Sequence, residues 1–369
     1  MRRGVIVAFL ILVAAIAGIF HISDSQPNTD VTAKTTKVGV LLSGTCLDRS
    51  YGQTHFEALE SLRGELNLEM VYREGVPSDC YKDIVNLIQD EGCRIIVGEA
   101  YDYGPYMEVA AEAYPEVYFL HAGGTASRRN LSSFFGRMYQ VRYLSGIVAG
   151  MQTQTGELGY VAAFPIPEVI RGINAFTLGV RSVRPDATVH VRYCGSWTED
   201  APAGTACREL MDRHPIDVVT LHTNSLQPHR EADARGVWSV GYNFDNVDAF
   251  PDTYLAACVW KWNVYYRKEI LSCLQGKFHG SNEWVNMEDG IVSLSAPTRH
   301  VSVEAVAKLQ EANERFRSRA FDVFYGPITD NEGRIRIEAG ESMSDREMLN
   351  NFKWYVEGVK IEGQGVGGA

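Results

Sequence analysis

Apolar and polar positions follow a repeated order along most of this chain, in which a short apolar run leads into a longer amphipathic segment. From residue 37 the apolar runs KVGVLLSG, LEMVYREG and CRIIVGEA each precede a segment with apolar residues at helical spacing. Nearly continuous apolar runs of this length are typical of strands that are covered on both faces. The pattern therefore predicts parallel sheets with helices on both sides.

The same order begins again further along the chain. A helix rich in small residues, YLSGIVAGMQTQTG, separates the first series from a second one that starts at LGYVAAF and continues through TVHVRYCG, DVVTLHT and GVWSVGYN. Two such series predict an α/β fold with two similar doubly wound lobes and a cleft between them. The segments that follow are too few for a third domain, so we expect them to complete the two sheets.

The stretch from Tyr160 to Val180 indicates how such a cleft would be lined. YVAAF predicts a strand, Pro165 and Pro167 lie in the loop after it, and a helix opens with Glu168 in its first turn. Proline and an acidic residue suit the unpaired N–H groups at a helix start. Ligands of open α/β sheets bind at loops that follow the carboxyl ends of strands. Side chains at strand ends are therefore the candidates for ligand binding.

The first 20 residues have the layout of an export signal. Arg2 and Arg3 precede an apolar run from Gly4 to Phe20, and a polar segment follows. Ala15–Ala17 fits a cleavage site, but the run also reaches the lower length limit of a membrane-spanning helix. We expect a periplasmic or extracytoplasmic protein in which residues 1–20 are a signal peptide or a retained anchor. Residues 21–36 would form a flexible linker.

Charge and cysteine content narrow the possibilities further. The net charge is −11, with 35 basic against 46 acidic residues and no basic block, which argues against a nucleic-acid polymer as partner. Export would permit disulfides. Cys46 and Cys80 both follow predicted strands, and Cys194 and Cys207 bracket a strand-to-helix loop, so each pair is a candidate disulfide. Buried free thiols are an equally open alternative.

Enzymatic motifs are absent from the sequence. His121 and His222 each end a predicted strand, but no nucleophile elbow, zinc-protease pair or phosphate-binding loop accompanies them. Isolated histidines at strand ends are typical of hydrogen-bonded structural residues. We expect no catalytic residue, no metal and no cofactor.

Long segments of the chain resemble the basic membrane protein (PnrA-like) family of type I periplasmic solute-binding proteins, which deliver nucleosides or nucleobases to ABC transporters. The segments are FPIPEVIRGINAFTLG (164–179), FFGRMYQVRYLSGIVAG (134–150), YGPITDNEGRIRIEAGE (325–341) and WYVEGV (354–359). The resemblance implies two lobes that are joined by three crossovers and close on a ligand by a hinge. Lobe one would comprise 37–153 plus 257–288, and lobe two 154–256 plus 289–369.

A purine is a flat ring system with donors and acceptors at its edge, so its pocket needs aromatic faces and a few polar groups. In the first loop the family resemblance places an acidic residue and an aromatic, which match Asp48 and Tyr51, and Gln53 lies beside them. Phe164 would stack from the second lobe. The alternatives are a helix cap for Asp48 and a core position for Phe164.

The other candidates lie near the carboxyl ends of predicted strands or where the chain returns to lobe one. They are Glu99, Tyr101, Asn224, Ser225, Tyr242, Asp245 and Trp260. In relatives that bind nucleosides, the resemblance assigns an aspartate near Asp245 to the ribose, and an Asx turn is the alternative. Trp260 would line the pocket or pack at the hinge.

Together these features predict the substrate-binding component of an ABC transporter. We expect a monomer that captures an adenine-like purine base or a nucleoside and delivers it to a membrane permease. The alternative is a ligand-sensing module for the same class of solute in signalling or chemotaxis.

Overall fold

Two parallel sheets organise the chain, as the alternating pattern predicts. The computed structural model describes residues 35–318 and 321–363. The first sheet contains β1 (Thr36–Leu41), β2 (Leu68–Arg73), β3 (Ile95–Gly98), β4 (Tyr118–Ala122), β5 (Leu131–Gly136) and β11 (Asn282–Val285). Its strands are parallel and lie in the order β11-β5-β4-β3-β1-β2.

The second sheet repeats this arrangement. It contains β6 (Glu157–Ala162), β7 (Thr188–Tyr193), β8 (Val218–His222), β9 (Trp238–Asn243), β10 (Tyr254–Trp260), β12 (Val292–Leu294) and β15 (Val359–Ile361). The order is β12-β10-β9-β8-β6-β7-β15, with β12 antiparallel to β10. A small hairpin is formed by β13 (Ile328–Thr329) and β14 (Ile335–Ile337).

Helices connect the strands in both halves of the chain. In the described residues these are α1 (Tyr51–Leu62), α2 (Tyr81–Gln89), α3 (Gly104–Ala113), α4 (Met138–Gln152), α5 (Pro167–Val183), α6 (Asp200–Arg213), α7 (Gln227–Asp233), α8 (Trp262–Leu274), α9 (Val303–Arg317) and α10 (Asp345–Asn350). The central strands β3 and β8 are buried along their whole length, which explains their unbroken apolar sequence.

Each sheet has a point at which the order of strands reverses. In the first sheet β1 lies between β2 and β3, and in the second sheet β6 lies between β7 and β8. Connections leave the sheet in opposite directions on either side of such a point, and the gap between them receives ligands in doubly wound folds. The two gaps lie at the carboxyl ends of β1 and β3 and of β6 and β8.

Sheet membership differs in two places from the lobe bounds expected from the sequence. Helix α4 falls within the 37–153 segment, yet it packs against α5 and against strands β10 and β12 of the second sheet. Strand β10 stays in the second sheet as far as Trp260, beyond the expected change of lobe at residue 257. The chain therefore passes between the sheets three times, after β5, after β10 and after β11, and the lobe bounds themselves stay a prediction.

Helices α4 and α5 touch backbone to backbone, because glycines face each other. A Cβ atom on Gly146 would overlap the carbonyl oxygen of Phe176, and one on Gly179 would overlap that of Tyr143. A Cβ on Gly150 would lie 2.7 Å from the carbonyl oxygen of Val180. The small-residue helix seen in the sequence is thus one side of a close helix crossing.

Two further expectations concern the chain ends and the cysteines. The expected signal or anchor at 1–20 and most of the linker at 21–36 lie outside the described residues. Within the described ranges, no helix is both long enough and apolar enough to cross a membrane. All seven cysteines lie in those ranges and are free thiols, including both candidate pairs. The structure shows free thiols at both candidate pairs, with Cys80 and Cys207 buried and Cys46 and Cys194 half-buried.

Replacing Gly146 by alanine should destabilise the protein by about 1–3 kcal/mol, because the added methyl group forces α4 away from α5. Gly64→Ala is a matched control, since a Cβ at Gly64 meets nothing within 4 Å, and it should change stability by less than about 0.5 kcal/mol. Denaturant unfolding of both variants measures the difference. Equal stability of the two variants would contradict the close crossing.

Candidate functional site

The residues at the two reversal points form the candidate site. Ser43 and Glu99 follow β1 and β3 of the first sheet, while Phe164 and His222 lie at the ends of β6 and β8 of the second. Doubly wound sheets bind ligands at these strand ends. A polar atom there that has no partner within the protein is therefore a candidate contact for a ligand.

Glu99 is a buried carboxyl group with one occupied oxygen and one free oxygen. Its side chain is 2% exposed. The backbone N–H and the hydroxyl of Ser43 donate to Oε1 at 2.5 and 2.6 Å, whereas Oε2 has no hydrogen-bond partner among the described residues. Burial raises the pKa of Glu99 to about 7, although the bonds from Ser43 lower it. A buried oxygen without a donor marks a place where a ligand N–H can bind.

Aromatic rings form a wall beside Glu99. Trp260 and Trp262 stack with ring centroids 4.2 Å apart, and the ring of Phe135 lies 4.8 Å from Trp260. Tyr51 meets both tryptophans edge-on at 6.1 and 6.0 Å. Burial raises the pKa of the Tyr51 hydroxyl well above its ordinary value, and the neighbouring Glu99 raises it further. The wall therefore combines rings from α1, β5, the end of β10 and the start of α8.

Asn243 connects this wall to the second sheet. Its backbone has φ +68°, a left-handed conformation that asparagine tolerates better than most residues. The side-chain Oδ1 accepts from Trp260 Nε1 at 2.9 Å, and Nδ2 donates to Asn224 Oδ1 at 2.8 Å. Nδ2 also lies 3.2 Å from the Ser50 hydroxyl in the first loop. The Asn243 side-chain amide thus fixes the orientation of Trp260 and also contacts Ser50 in the first lobe.

A buried arginine lies beneath the opposite wall. Arg142, on α4, is fully buried, and its guanidinium carbon lies 4.0 Å from the ring centroid of Tyr242 and 5.6 Å from that of Tyr160. None of its three side-chain nitrogens has a hydrogen-bond acceptor among the described residues. A buried charge is costly unless it is compensated. The aromatic faces compensate part of it through cation–π attraction.

Glu168 supplies the negative charge in this region. Burial alone would raise its pKa, but His222, Arg171 and Arg142 outweigh burial and lower it. Its carboxylate lies 3.7 Å from Nε2 of His222, which has no hydrogen bond in the described part of the chain. Burial, with Arg142 nearby, lowers the pKa of His222 to about 4. The histidine is therefore neutral at pH 7, and Glu168 is ionised, with Arg171 and Arg142 stabilising its negative charge.

Rings also line the second-lobe side. Phe164 meets Trp197 at 5.8 Å between ring centroids, and Trp197 meets His222 at 6.2 Å. His222 in turn packs edge-on against Tyr242 at 4.5 Å. Phe164 is thus partly buried at the edge of an aromatic group rather than enclosed in the core.

A polar latch joins the first loop to the loop after β9. Arg49 donates from Nε to Asn246 Oδ1 at 2.9 Å and forms an ion pair with Asp248. Asn246 Nδ2 returns a bond to the carbonyl oxygen of Arg49 at 3.0 Å. These contacts hold the two strand-end edges together in the observed conformation.

Several predicted site residues have structural partners instead. The Asp48 carboxylate accepts from the backbone N–H groups of Ser50, Gly52 and Gln53 at 2.7–3.0 Å, so it caps the start of α1. Gln53 bonds to the Arg49 N–H and to Glu57. The helix-cap alternative for Asp48 is the arrangement observed.

Other candidates also differ from expectation. Ser225 donates to Asp200 at 2.6 Å and accepts from the Gln227 N–H, which opens α7. Asp245 accepts from the N–H two residues on at 3.3 Å, the geometry of an Asx turn. Tyr101 is 69% exposed. The structure does not bring these three side chains together with the rest of the candidate site.

Among the residues of the candidate site that the sequence did not assign to ligand binding are Arg142, Glu168, Trp197 and His222. Glu168 had a signal in the sequence, because it directly follows the loop after β6. His222 was expected to be an ordinary hydrogen-bonded residue, and its Nδ1 does lie 3.3 Å from the Tyr160 hydroxyl, but Nε2 faces Glu168. His121, by contrast, bonds to the Ala100 carbonyl at 2.8 Å as a structural residue does.

Two surface cavities lie elsewhere. One of about 430 Å³ is lined by residues that include Tyr265, Lys268 and Trp284, and one of about 610 Å³ by residues that include Arg137 and Tyr325. Neither is lined by a predicted site residue.

Comparisons with known proteins agree with this architecture. Residues 35–320 match the family model described as ABC transporter substrate-binding protein PnrA-like. A putative ABC transporter glucose-binding protein of Haloferax volcanii is 33% identical over 317 residues, 85% of this chain and 78% of the relative. A purine-binding protein of Brucella abortus is 31% identical over 327 residues, 88% of this chain and 92% of the relative.

A solved structure shows the same fold. The solute-binding protein of an ABC transporter system from Aeropyrum pernix K1 has a TM-score of 0.68 at 17% identity, covering 87% of this chain and 100% of the other. The two-sheet architecture is accordingly the type I periplasmic binding protein fold, as the sequence predicts.

The raised pKa of Glu99 makes stability depend on pH. The folded protein keeps the Glu99 proton up to about pH 7, while the unfolded chain loses it near 4.5. The stability that this proton contributes is present below the unfolded value and is lost as pH rises through about 7. Glu99→Gln should therefore stabilise the ligand-free protein above that pH by up to about 3 kcal/mol, and the gain should shrink on acidification.

Denaturant unfolding across this pH range measures the effect. Glu116→Gln is the matched control, because Glu116 is exposed, and it should show no such trend. A stability difference for Glu99→Gln that stays constant with pH would contradict the buried, protonated carboxyl group.

Proposed function

Because the chain belongs to the PnrA-like family of ABC transporter substrate-binding proteins, we propose that it captures a purine base or nucleoside between its lobes and delivers it to a membrane permease. The family consists of extracytoplasmic solute-binding proteins rather than enzymes. The observation that carries the ligand class is the set of unpaired buried polar atoms flanked by aromatic rings.

The rings supply two faces for a flat ligand. On the first-lobe side, the Tyr51 ring lies against Trp260. On the second-lobe side, Phe164 follows β6 and its ring contacts Trp197, which follows β7. Aromatic stacking contributes about 1–3 kcal/mol per base in nucleic-acid binders. We propose that the base inserts between these two sides when the edges separate.

The polar atoms supply the edge contacts. Ser43 occupies Glu99 Oε1, and Oε2 has no partner among the described residues. An ionised Glu99 would accept a hydrogen bond at Oε2 from a ring N–H or exocyclic amino group, and a protonated Glu99 would donate from Oε2 to a ring nitrogen. The ionised Glu168 would accept a second one, and Tyr242, held against Arg142, would line the floor. A site that leaves such groups unpaired discriminates strongly against ligands that lack the matching donors.

The latch supports a closing mechanism. Arg49 binds Asn246 and Asp248, and Asn243 reaches Ser50, so five side chains join the two edges only when these are close. Closure over a ligand removes water from the aromatic faces and strengthens the buried hydrogen bonds. The permease would then bind the closed conformation, which the protein adopts when the solute is bound.

Binding measurements test the proposed ligand class. Calorimetric titration with adenine, guanine, adenosine, inosine and glucose should give tight binding for a purine compound and none for glucose. Glucose is the informative competitor because one relative carries that name. Mass spectrometry of the solute that co-purifies with the protein gives an independent identification. Tight glucose binding without purine binding would overturn the proposal.

Tyr51→Ala should weaken purine affinity by about 1–3 kcal/mol, since it removes one stacking face. Tyr51→Phe keeps the ring and should bind within a few-fold of the parent. Tyr325→Ala is the matched control, because Tyr325 is 52% exposed and outside the site. Circular dichroism establishes that each variant is folded. Unchanged affinity in a folded Tyr51→Ala protein would remove Tyr51 from the site.

A further inference from the structure

A second group of titratable side chains lies away from the cleft, at the outer edge of the second sheet. His190 is in β7, Glu157 begins the neighbouring strand β6, and Glu362 directly follows the edge strand β15. His214 follows α6. The group therefore lies towards the amino end of β6, whereas the candidate ligand site lies beyond its carboxyl end.

The four side chains are in direct contact. His190 Nε2 lies 2.5 Å from Glu157 Oε2, and His190 Nδ1 lies 2.8 Å from Glu362 Oε1. His214 Nε2 lies 3.0 Å from the same Glu362 oxygen. The two imidazole rings stack with centroids 3.7 Å apart. His190 is 2% exposed, so water cannot easily satisfy its nitrogens.

The hydrogen-bond count in this group does not balance with neutral histidines. A neutral imidazole has one N–H donor and one lone pair, yet both nitrogens of His190 face carboxylate oxygens, which only accept. If the Nε2–H of His190 donates to Glu157, the Nδ1 lone pair points at Glu362. The His214 Nε2 atom converges on that same oxygen. A second proton on His190 would let both of its nitrogens donate. A metal cation shared by His190 Nδ1, His214 Nε2 and the Glu362 carboxylate would instead use all three groups as ligands.

We propose that this cluster is a zinc site formed by His190, His214 and Glu362. Two imidazoles and one carboxylate, with a position open to water, are a common zinc ligand set. The three ligand atoms lie within 4.8 Å of one another, so small side-chain rotations bring them to about 2.0–2.2 Å from one ion. The partial exposure of His214 and Glu362 leaves room for the water.

Glu157 completes the arrangement without touching the ion. A zinc-bound histidine usually donates its other ring N–H to a carboxylate, which fixes the tautomer and the ring orientation. The contact between Glu157 and His190 Nε2 has this form. Glu157 would therefore be a positioning residue, and the proposal departs from the sequence-based expectation of no metal.

The proposed zinc site would hold β15, the last strand of the second sheet, in place. β15 is the edge strand of the second sheet and pairs only with β7 in the described residues. The Glu362 N–H donates to the Val191 carbonyl at 2.8 Å. An ion shared by residues from β7, the loop after α6 and the end of β15 would join three segments that are far apart in sequence. Zinc should accordingly raise the melting temperature by mass action.

Zinc titration of the chelator-treated protein tests the proposal. We expect a single equivalent to bind, with a rise in melting temperature that Glu362→Gln and His214→Ala both abolish. Glu157→Gln should weaken zinc binding by about 10–100-fold without abolishing it. His279→Ala, which removes an exposed histidine elsewhere, should bind zinc like the parent.

Cobalt substitution separates this site from the seven free thiols. Co²⁺ in the cluster should give the visible bands of a tetrahedral nitrogen–oxygen site without a thiolate charge-transfer band. Circular dichroism of the metal-free variants shows whether they fold, and Glu362→Gln preserves the side-chain shape. Failure of the parent to bind zinc, thiolate bands, or undiminished binding by folded Glu362→Gln and His214→Ala proteins would overturn the proposal.

Discussion

The close crossing of α4 and α5 is the constraint on which the candidate site depends. Two helices approach backbone to backbone only where side chains are missing, and here Gly146 and Gly179 make that possible. The same two helices carry Arg142 and Glu168. Separating the helices would therefore displace a buried positive charge from the aromatic rings beneath the site and from its acidic partner.

The charged side chains on these helices make the two sides of the cleft electrostatically different. The second-lobe side carries Arg142, Arg171 and Glu168, whereas the first-lobe side offers Glu99, whose pKa is raised by burial to about 7. An aromatic ring with both donors and acceptors at its edge suits such a surface, because its N–H groups can donate to the carboxyl groups while its ring nitrogens accept from protonated groups. A purine meets this condition, and the stacking rings add an interaction that is indifferent to charge.

The fold was predictable from the sequence to a large extent, because strand–helix alternation is a local property and both sheets follow it. The site was less predictable. Tyr51, Glu99, Phe164, Tyr242 and Trp260 do lie at the strand ends that face each other, but Asp48 and Ser225 bond to nearby backbone or side-chain groups, which the sequence alone cannot exclude. Arg142 was missed because it lies mid-helix, where the pattern indicates only burial. The cluster of His190, His214 and Glu362 depends on pairing between β7 and β15, which are far apart in the chain.

The hydrogen bonds of the Asn243 side chain would affect how the protein binds and releases its solute. Of the three bonds made by its side chain, those to Trp260 and Asn224 stay within the second sheet, and only the longest, at 3.2 Å to Ser50, spans the two edges. Opening would break that bond and the solvent-accessible Arg49 contacts, while Trp260 keeps its orientation. Half of the binding surface would thus be preorganised before the solute arrives, so its capture would cost little conformational entropy, and its residence time would depend on ionic strength through Arg49 and Asp248.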